Sequence, residues 1–135
     1  MANTFELRIV APEGQVLRED VEFLLLPGED GEIGVLAKHS LLIAGLKTGV
    51  LQYNLDDNKK RVAISGGFAE VANNKAIVLA DTAEPGELID LNRAMAAKER
   101  AEKRLSERSA DIDIKRAEFA LRRALARINA AEKLK

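Results

Sequence analysis

The chain has 135 residues, 47% hydrophobic and 32% charged, which describes one ordinary globular domain or two small ones. It has no cysteine, no tryptophan and one histidine, His39. That composition excludes disulfides and thiolate metal sites and argues against a histidine-based metal site, a Ser-His-Asp triad, or the aromatic stacking platform of a single-strand nucleic-acid binder. The net charge of −1 hides an asymmetry: residues 1–85 carry 8 Lys/Arg against 13 Asp/Glu, and residues 86–135 carry 13 against 9. A basic tail on an acidic body suits an anionic ligand or an acidic partner, although mixed charge is also what a solvated helix surface looks like.

The amino-terminal end shows neither the basic region nor the apolar core of a signal peptide, and no apolar run approaches the ~20 residues that span a bilayer. A cytosolic protein that meets a membrane only through a partner is expected.

The first part reads as short strands at sandwich or barrel rhythm. Phe5, Leu7 and Ile9 alternate with Thr4, Glu6 and Arg8, a half-buried strand. Pro12-Glu13-Gly14 turns the chain. Val21 to Leu26 is a continuous apolar run ending at Pro27-Gly28, followed by a tight turn in which Gly31 is free to take positive φ. Ile33–Leu36 is a further short strand, and Leu41–Leu46 is apolar and leads to Gly49. Val50–Leu55 and Arg61–Ser65 form a hairpin around Asp56-Asp57-Asn58, and Phe68–Ala72 and Lys75–Ala80 form a second around Asn73-Asn74. Asp81 to Glu87 reads as a linker.

Beyond Gly86 there is neither glycine nor proline, and two helices fit, over 89–105 and 112–133. Ser106 to Ala110 connects them, and Asp111 is a plausible N-cap. A connection that short favours antiparallel neighbours. The second helix repeats every seven residues: Ile114, Leu121 and Ile128 in one row, Ala117, Ala124 and Ala131 in the other. The first places Leu91, Ala94, Ala101 and Leu105 on one face, interrupted by Lys98. Alanine buries little area, at ~0.8 kcal/mol per CH₂, so such a hairpin is held weakly and could open without unfolding the strands.

In an antiparallel hairpin Arg93 and Ala94 lie opposite Ala124 and Arg123, Asp90 lies opposite Arg127, and Arg100 continues the Arg93 face. Guanidinium groups bind phosphate oxygens in pairs, Asp90 and Glu84 are acceptors for an adenine amine, and Ala94 leaves room for a flat ring. The alternative is an interhelical salt bridge from Asp90 to Arg127. There is no phosphate loop; Gly45-Leu46-Lys47-Thr48-Gly49 has the right letters at the wrong spacing. No catalytic residue and no metal ligand is assigned, and any nucleotide would be a signal rather than a substrate. His39 reads as a contact residue.

These segments resemble the epsilon subunits of rotary F-type ATP synthases, in bacterial or chloroplast form. The resemblance rests on Pro27-Gly28-Glu29-Asp30-Gly31-Glu32-Ile33-Gly34-Val35-Leu36 with His39, Ser65 to Val71, Leu79 to Glu84, and Ile89-Asp90-Leu91-Asn92-Arg93-Ala94. It covers essentially the whole chain. It implies an all-β sandwich of about ten strands over residues 1–84 and a regulatory α-helical hairpin over 85–135. It also implies a non-catalytic subunit of the central stalk, bound to the gamma subunit and the c-ring, on the cytoplasmic face of the bacterial plasma membrane.

By that resemblance Glu32 and His39 contact the c-ring. The tail inhibits ATP hydrolysis when extended into the alpha/beta hexamer, where Lys115, Arg116 and Arg122 meet the beta subunits. Some members bind ATP in the folded hairpin, and their pattern is matched by Glu84, Ile89, Asp90, Arg93, Ala94, Arg100, Arg123 and Arg127. Whether Mg²⁺ accompanies the nucleotide is left open. The chain departs from the family at Ala37-Lys38-His39-Ser40-Leu41, where Pro-Gly-His-Ala-Pro is frequent.

Overall fold

A computed structural model describes residues 3–107 and 113–132. Its strands are β1 (Phe5–Ala11), β2 (Gly14–Val21), β3 (Phe23–Gly28), β4 (Gly31–Leu36), β5 (Leu42–Leu46), β6 (Gly49–Leu55), β7 (Asn58–Ile64), β8 (Gly67–Ala72), β9 (Lys75–Ala80) and β10 (Ala83–Pro85). A 3₁₀ turn (Gly86–Leu88) then leads to α1 (Leu91–Glu107) and α2 (Ile114–Ala131). The ten-stranded sandwich followed by two helices is the architecture expected from the sequence.

The ladder runs β10-β7-β6-β3-β5-β8-β9-β1-β2, with β4 on β3. Between β3 and β5 only Gly28 and Leu46 pair, so the ladder folds over on itself there and forms two layers. Leu7, Ile9, Leu24, Leu26, Leu51 and Ile64 fill the space between them, fully buried. The alternation of β1 holds: Phe5, Leu7 and Ile9 all face this core. Both hairpins form as their turns dictate, Asp56 taking a φ of 55° and Asn73 and Asn74 taking 51° and 61°, while Gly31 takes 133° in the β3–β4 turn.

Three expectations need correction. The polar segment Gly14–Val21 is a strand, antiparallel to β1 from Phe5↔Val21 to Ala11↔Gly14. Its Arg18, Glu19 and Asp20 conceal it because its outer face meets water. The run Val21–Leu26 is two strands, broken at Glu22, where the chain stops pairing with β1 and starts pairing with β6. Glu22 makes that corner by donating its amide to Asn54 O at 2.8 Å while its carboxylate accepts the Asp56 amide at 2.5 Å. Residues 81–87 are more than a linker: β10 pairs with β7, Ala83↔Ile64 to Pro85↔Val62, so the sandwich runs past 84.

The helices begin two residues later than the pattern suggests. Asp90 caps α1, accepting the Arg93 amide at 3.1 Å, and Asp113 caps α2, accepting the Arg116 amide at 3.1 Å. Asp111 lies outside the described residues. Leu91, expected on the inner face of α1, is 41% exposed, because it stands at the rim of a cleft with Ile89 and Ala130.

The burial pattern of α2 explains its alanines. Ala117 and Ala124 are buried on the heptad row, as Ala94 and Ala101 are on α1. Ala126 and Ala130, off that row, are buried with Ala63 of β7, flanked by Val50 and Ile89. The helix therefore has two buried faces, one toward its partner helix and one toward the sandwich. Small side chains on both let it fit between them. Arg61 adds a polar fastening, its Nη1 donating to Asn129 Oδ1 at 2.7 Å and Asn129 O at 3.1 Å.

Gly86 lies so close to this helix that a Cβ there would overlap the Ala130 carbonyl oxygen. Gly86→Ala is expected to weaken docking of α2 by about 1–3 kcal/mol, the usual cost of overpacking. Amide exchange over residues 124–131 should then accelerate about fivefold or more. Exchange in β1 and β8 should stay unchanged.

Tyr53, the sole tyrosine, is 8% exposed in the core. Burial, with Glu19 and Glu87 nearby, pushes its hydroxyl up to about 12. The folded value lies above the unfolded one of about 10, so its contribution to stability is complete below pH ~10 and lost as pH rises toward 12. Phenolate absorbance should therefore rise with unfolding rather than before it. Tyr53→Phe should flatten the alkaline loss of stability followed by denaturant titration.

Candidate nucleotide cleft and interaction surfaces

β10 and α2 bring three of the expected residues together. Glu84 from β10 and Arg123 and Arg127 from α2 line a cleft of about 390 Å³, floored by Ala63 and Ile64 and walled by Ser65 and Thr82. The ladder pairing Glu84↔Ala63 sets the carboxylate at the cleft, and the four-residue spacing sets the two arginines one turn apart. Arg127 Nε is 3.0 Å from Glu84 Oε1. The pair lacks the alignment of a hydrogen bond, and among the described residues that buried oxygen has no hydrogen-bond partner. A buried carboxylate oxygen without a donor is costly, and an amine entering the cleft would satisfy it. The ion pair itself is half-exposed and contributes little, about 0–1 kcal/mol.

The remaining candidates stand elsewhere. Ile89 lines a neighbouring cleft of about 360 Å³ with Arg61, Gly86 and Ala130. Asp90 is engaged as the cap of α1, and its expected partner Arg127 pairs with Glu84 instead. Ala94 is 1% exposed against α2, so the room it was expected to leave is occupied by the helix pair. Arg93 and Arg100 are exposed on α1 and line neither cleft.

Glu32 is the second residue of β4 and is exposed. His39 follows it on a pinned loop: the Lys38 amide donates to Asn74 Oδ1 at 2.8 Å, and Asn74 Nδ2 donates to Thr4 O at 2.9 Å. His39 Nδ1 lies 2.7 Å from Ser40 O and so carries the proton. Lys38, at φ 63°, takes a left-handed bend that glycine adopts most readily. Lys115, Arg116 and Arg122 are exposed along α2.

Pattern reading missed one surface. Outer-facing Ile43, Phe68 and Leu79 are 70%, 62% and 55% exposed on neighbouring strands β5, β8 and β9. A signal existed: Ala76 to Ala80 is apolar on both faces, which a strand with one face in water does not need. Where this face meets the Glu6 end of β1, Glu6 accepts from Arg8 Nε at 3.1 Å and Arg18 Nε at 2.5 Å. Burial works against its charge, but the two arginines prevail and hold its carboxyl below the usual range.

A β-sandwich joined to a helical pair, with an arginine-lined cleft between them, defines a class. The ATP synthase delta/epsilon chain β-sandwich model matches residues 4–86 and the delta/epsilon chain long α-helix model matches residues 87–132. The chain is 59% identical over 131 residues to the ATP synthase epsilon chain of Desulfitobacterium hafniense, covering 97% of this chain and 98% of that one. It is 49% identical to the epsilon chain of Desulforamulus reducens, covering 98% and 100%. It also superposes with a TM-score of 0.81, at 26% identity, on a chain in a structure of the Euglena gracilis mitochondrial ATP synthase comprising OSCP, F1 and c-ring, covering 98% of this chain and 84% of that one. The chain belongs to the ATP synthase delta/epsilon family. Both of these curated relatives are bacterial epsilon chains.

Proposed function

We propose that this chain is a non-catalytic rotor subunit of a bacterial F-type ATP synthase, coupling ion flow to ATP synthesis, whose helical tail is an ATP-sensing brake on hydrolysis. One observation carries the brake: α2 is fastened to the sandwich through alanines, a half-exposed ion pair and the Arg61–Asn129 contacts. Among the described residues, the sandwich core contains none from either helix. The tail can leave without dismantling the body. Extended, it presents Lys115, Arg116 and Arg122 to the acidic loops of the beta subunits in the alpha/beta hexamer.

The apolar outer face of Ile43, Phe68 and Leu79 suits the gamma subunit, and the exposed edge bearing Glu32 and the pinned His39 suits the c-ring. That seating puts the subunit at the cytoplasmic face of the plasma membrane through its complex; no described helix is long and apolar enough to cross a membrane. The convergence of Glu84, Arg123 and Arg127, with a carboxylate oxygen lacking a donor, supports ATP as the ligand of the docked tail.

Two outcomes test this. In the reconstituted complex, deleting residues 88–135 should raise ATP hydrolysis severalfold; an unchanged rate removes the brake and leaves the coupling role. By calorimetry the full chain should bind ATP, and Arg123→Ala with Arg127→Ala should weaken binding by about tenfold or more. Binding that is unaltered in that variant removes the cleft as the site.

A further inference from the structure

The loop that carries His39 has little of its own to hold it. From Ala37 to Leu41 it contains neither glycine nor proline. It leaves β4 through a tight turn closed by the His39 amide, which donates to Leu36 O at 3.3 Å. Lys38 is the third residue of that turn, at φ 63°, a conformation that a residue with a Cβ adopts at a cost. Leu36 and Leu41 stand exposed on either side. The loop therefore offers two leucines to water around His39, in a shape set against its local preference.

That shape is held from outside, by Asn74, thirty-six residues from Lys38. Asn74 Oδ1 accepts the Lys38 amide at 2.8 Å, a donor that the turn itself does not use. Its Nδ2 donates to Thr4 O at 2.9 Å, and its own carbonyl accepts the Glu6 amide at 3.2 Å. Asn74 sits in the β8–β9 turn at φ 61°, a conformation that asparagine tolerates. Glu6 is clamped in turn by Arg8 and Arg18. A chain of hydrogen bonds thus runs from the sandwich body through Glu6 and Asn74 to Lys38, and stops one residue before His39. A carboxylate at position 74 could accept the Lys38 amide but could not donate to Thr4; the side-chain amide does both.

We propose that Asn74 is a positioning residue for the c-ring contact, setting the His39 loop in its seating shape before the partner arrives. The proposal rests on the c-ring reading above and adds the residue through which the sandwich, rather than the loop, fixes that contact. A loop already set in shape loses less freedom on binding. A loosened loop therefore weakens the contact even with Glu32 and His39 both in place.

Asn74→Gly tests this, because glycine takes the positive φ of the turn without strain and only the side chain is lost. Asn74 is exposed, so the core is untouched. Asn74→Asp keeps the acceptor for Lys38 and removes the donor to Thr4. In the full chain, exchange of the Lys38 amide should accelerate about fivefold in Asn74→Gly and stay within about twofold of wild type in Asn74→Asp. Each chain is then titrated onto two assemblies stripped of this subunit: the hexamer with gamma alone, and the complete complex with its c-ring. Asn74→Gly should bind the complete complex about fivefold more weakly and the hexamer with gamma as wild type does. A general defect in the fold would weaken both. Wild-type exchange at Lys38, wild-type affinity for the complete complex, or an equal loss on both assemblies overturns the proposal. His39→Ala checks the reading beneath it. If His39→Ala weakens binding to the complete complex alone and Asn74→Gly does not, the c-ring reading stands and the proposal fails. If His39→Ala changes neither affinity, the c-ring reading fails and takes the positioning role with it.

Discussion

The structure turns on how little holds α2 to the sandwich. The sandwich is built of ten strands around a core of large aliphatic side chains, and among the described residues that core includes none from the tail. The apolar contact between the modules is a patch of Ala63, Ala126 and Ala130 flanked by Val50 and Ile89, beside the Arg61–Asn129 hydrogen bonds and the half-exposed Arg127–Glu84 pair. Each alanine methyl contributes on the order of 0.8 kcal/mol. A ligand present at a hundred times its dissociation constant, binding only the docked form, adds about 2.7 kcal/mol. The two are of the same size, so a ligand in the Glu84 cleft can set the position of the tail. A core of leucines at that interface would fix it permanently.

Alanine serves a second purpose. A helix buried on one face can carry large side chains there and interlock with its neighbour. Here α2 is buried toward α1 through Ala117 and Ala124 and toward β7 through Ala126 and Ala130. Small residues on both faces permit close approach without interlocking, so separation does not require side chains to withdraw from holes. Gly86 completes the arrangement at the point where the chain enters the tail, beneath the Ala130 carbonyl.

Much of this was legible in the sequence, for reasons that can be named. Period-2 alternation located β1, and turn residues located the Asp56 and Asn73 hairpins. The absence of glycine and proline beyond Gly86 located the helices. β2 was hidden because Gly14–Val21 is polar on its outer face, and β10 because three residues are too few to show a period. The arginine cluster was legible only as a cluster. A hairpin drawn from heptads faces α1 alone, and it paired Asp90 with Arg127. The sandwich supplies Glu84 instead, through a ladder register that no local pattern encodes.

The charge asymmetry of the chain acquires a physical meaning from these placements. The basic tail lies over an acidic body, yet it does not neutralise it residue by residue. Of the α2 cations, Arg127 alone has a carboxylate partner among the described residues, and that partner is imperfectly aligned. Arg122 and Arg123 line a neighbouring cleft without one, and Lys115 and Arg116 face solvent. A tail whose cations were all paired to the body would be locked to it, and extension would leave carboxylates buried without partners. Cations left unpaired in the docked state cost little to expose. They can serve an anion at the cleft when the tail is folded and acidic protein loops when it is extended. On the reading proposed above, the same arginines serve both states, and a ligand at the cleft competes with the hexamer for them.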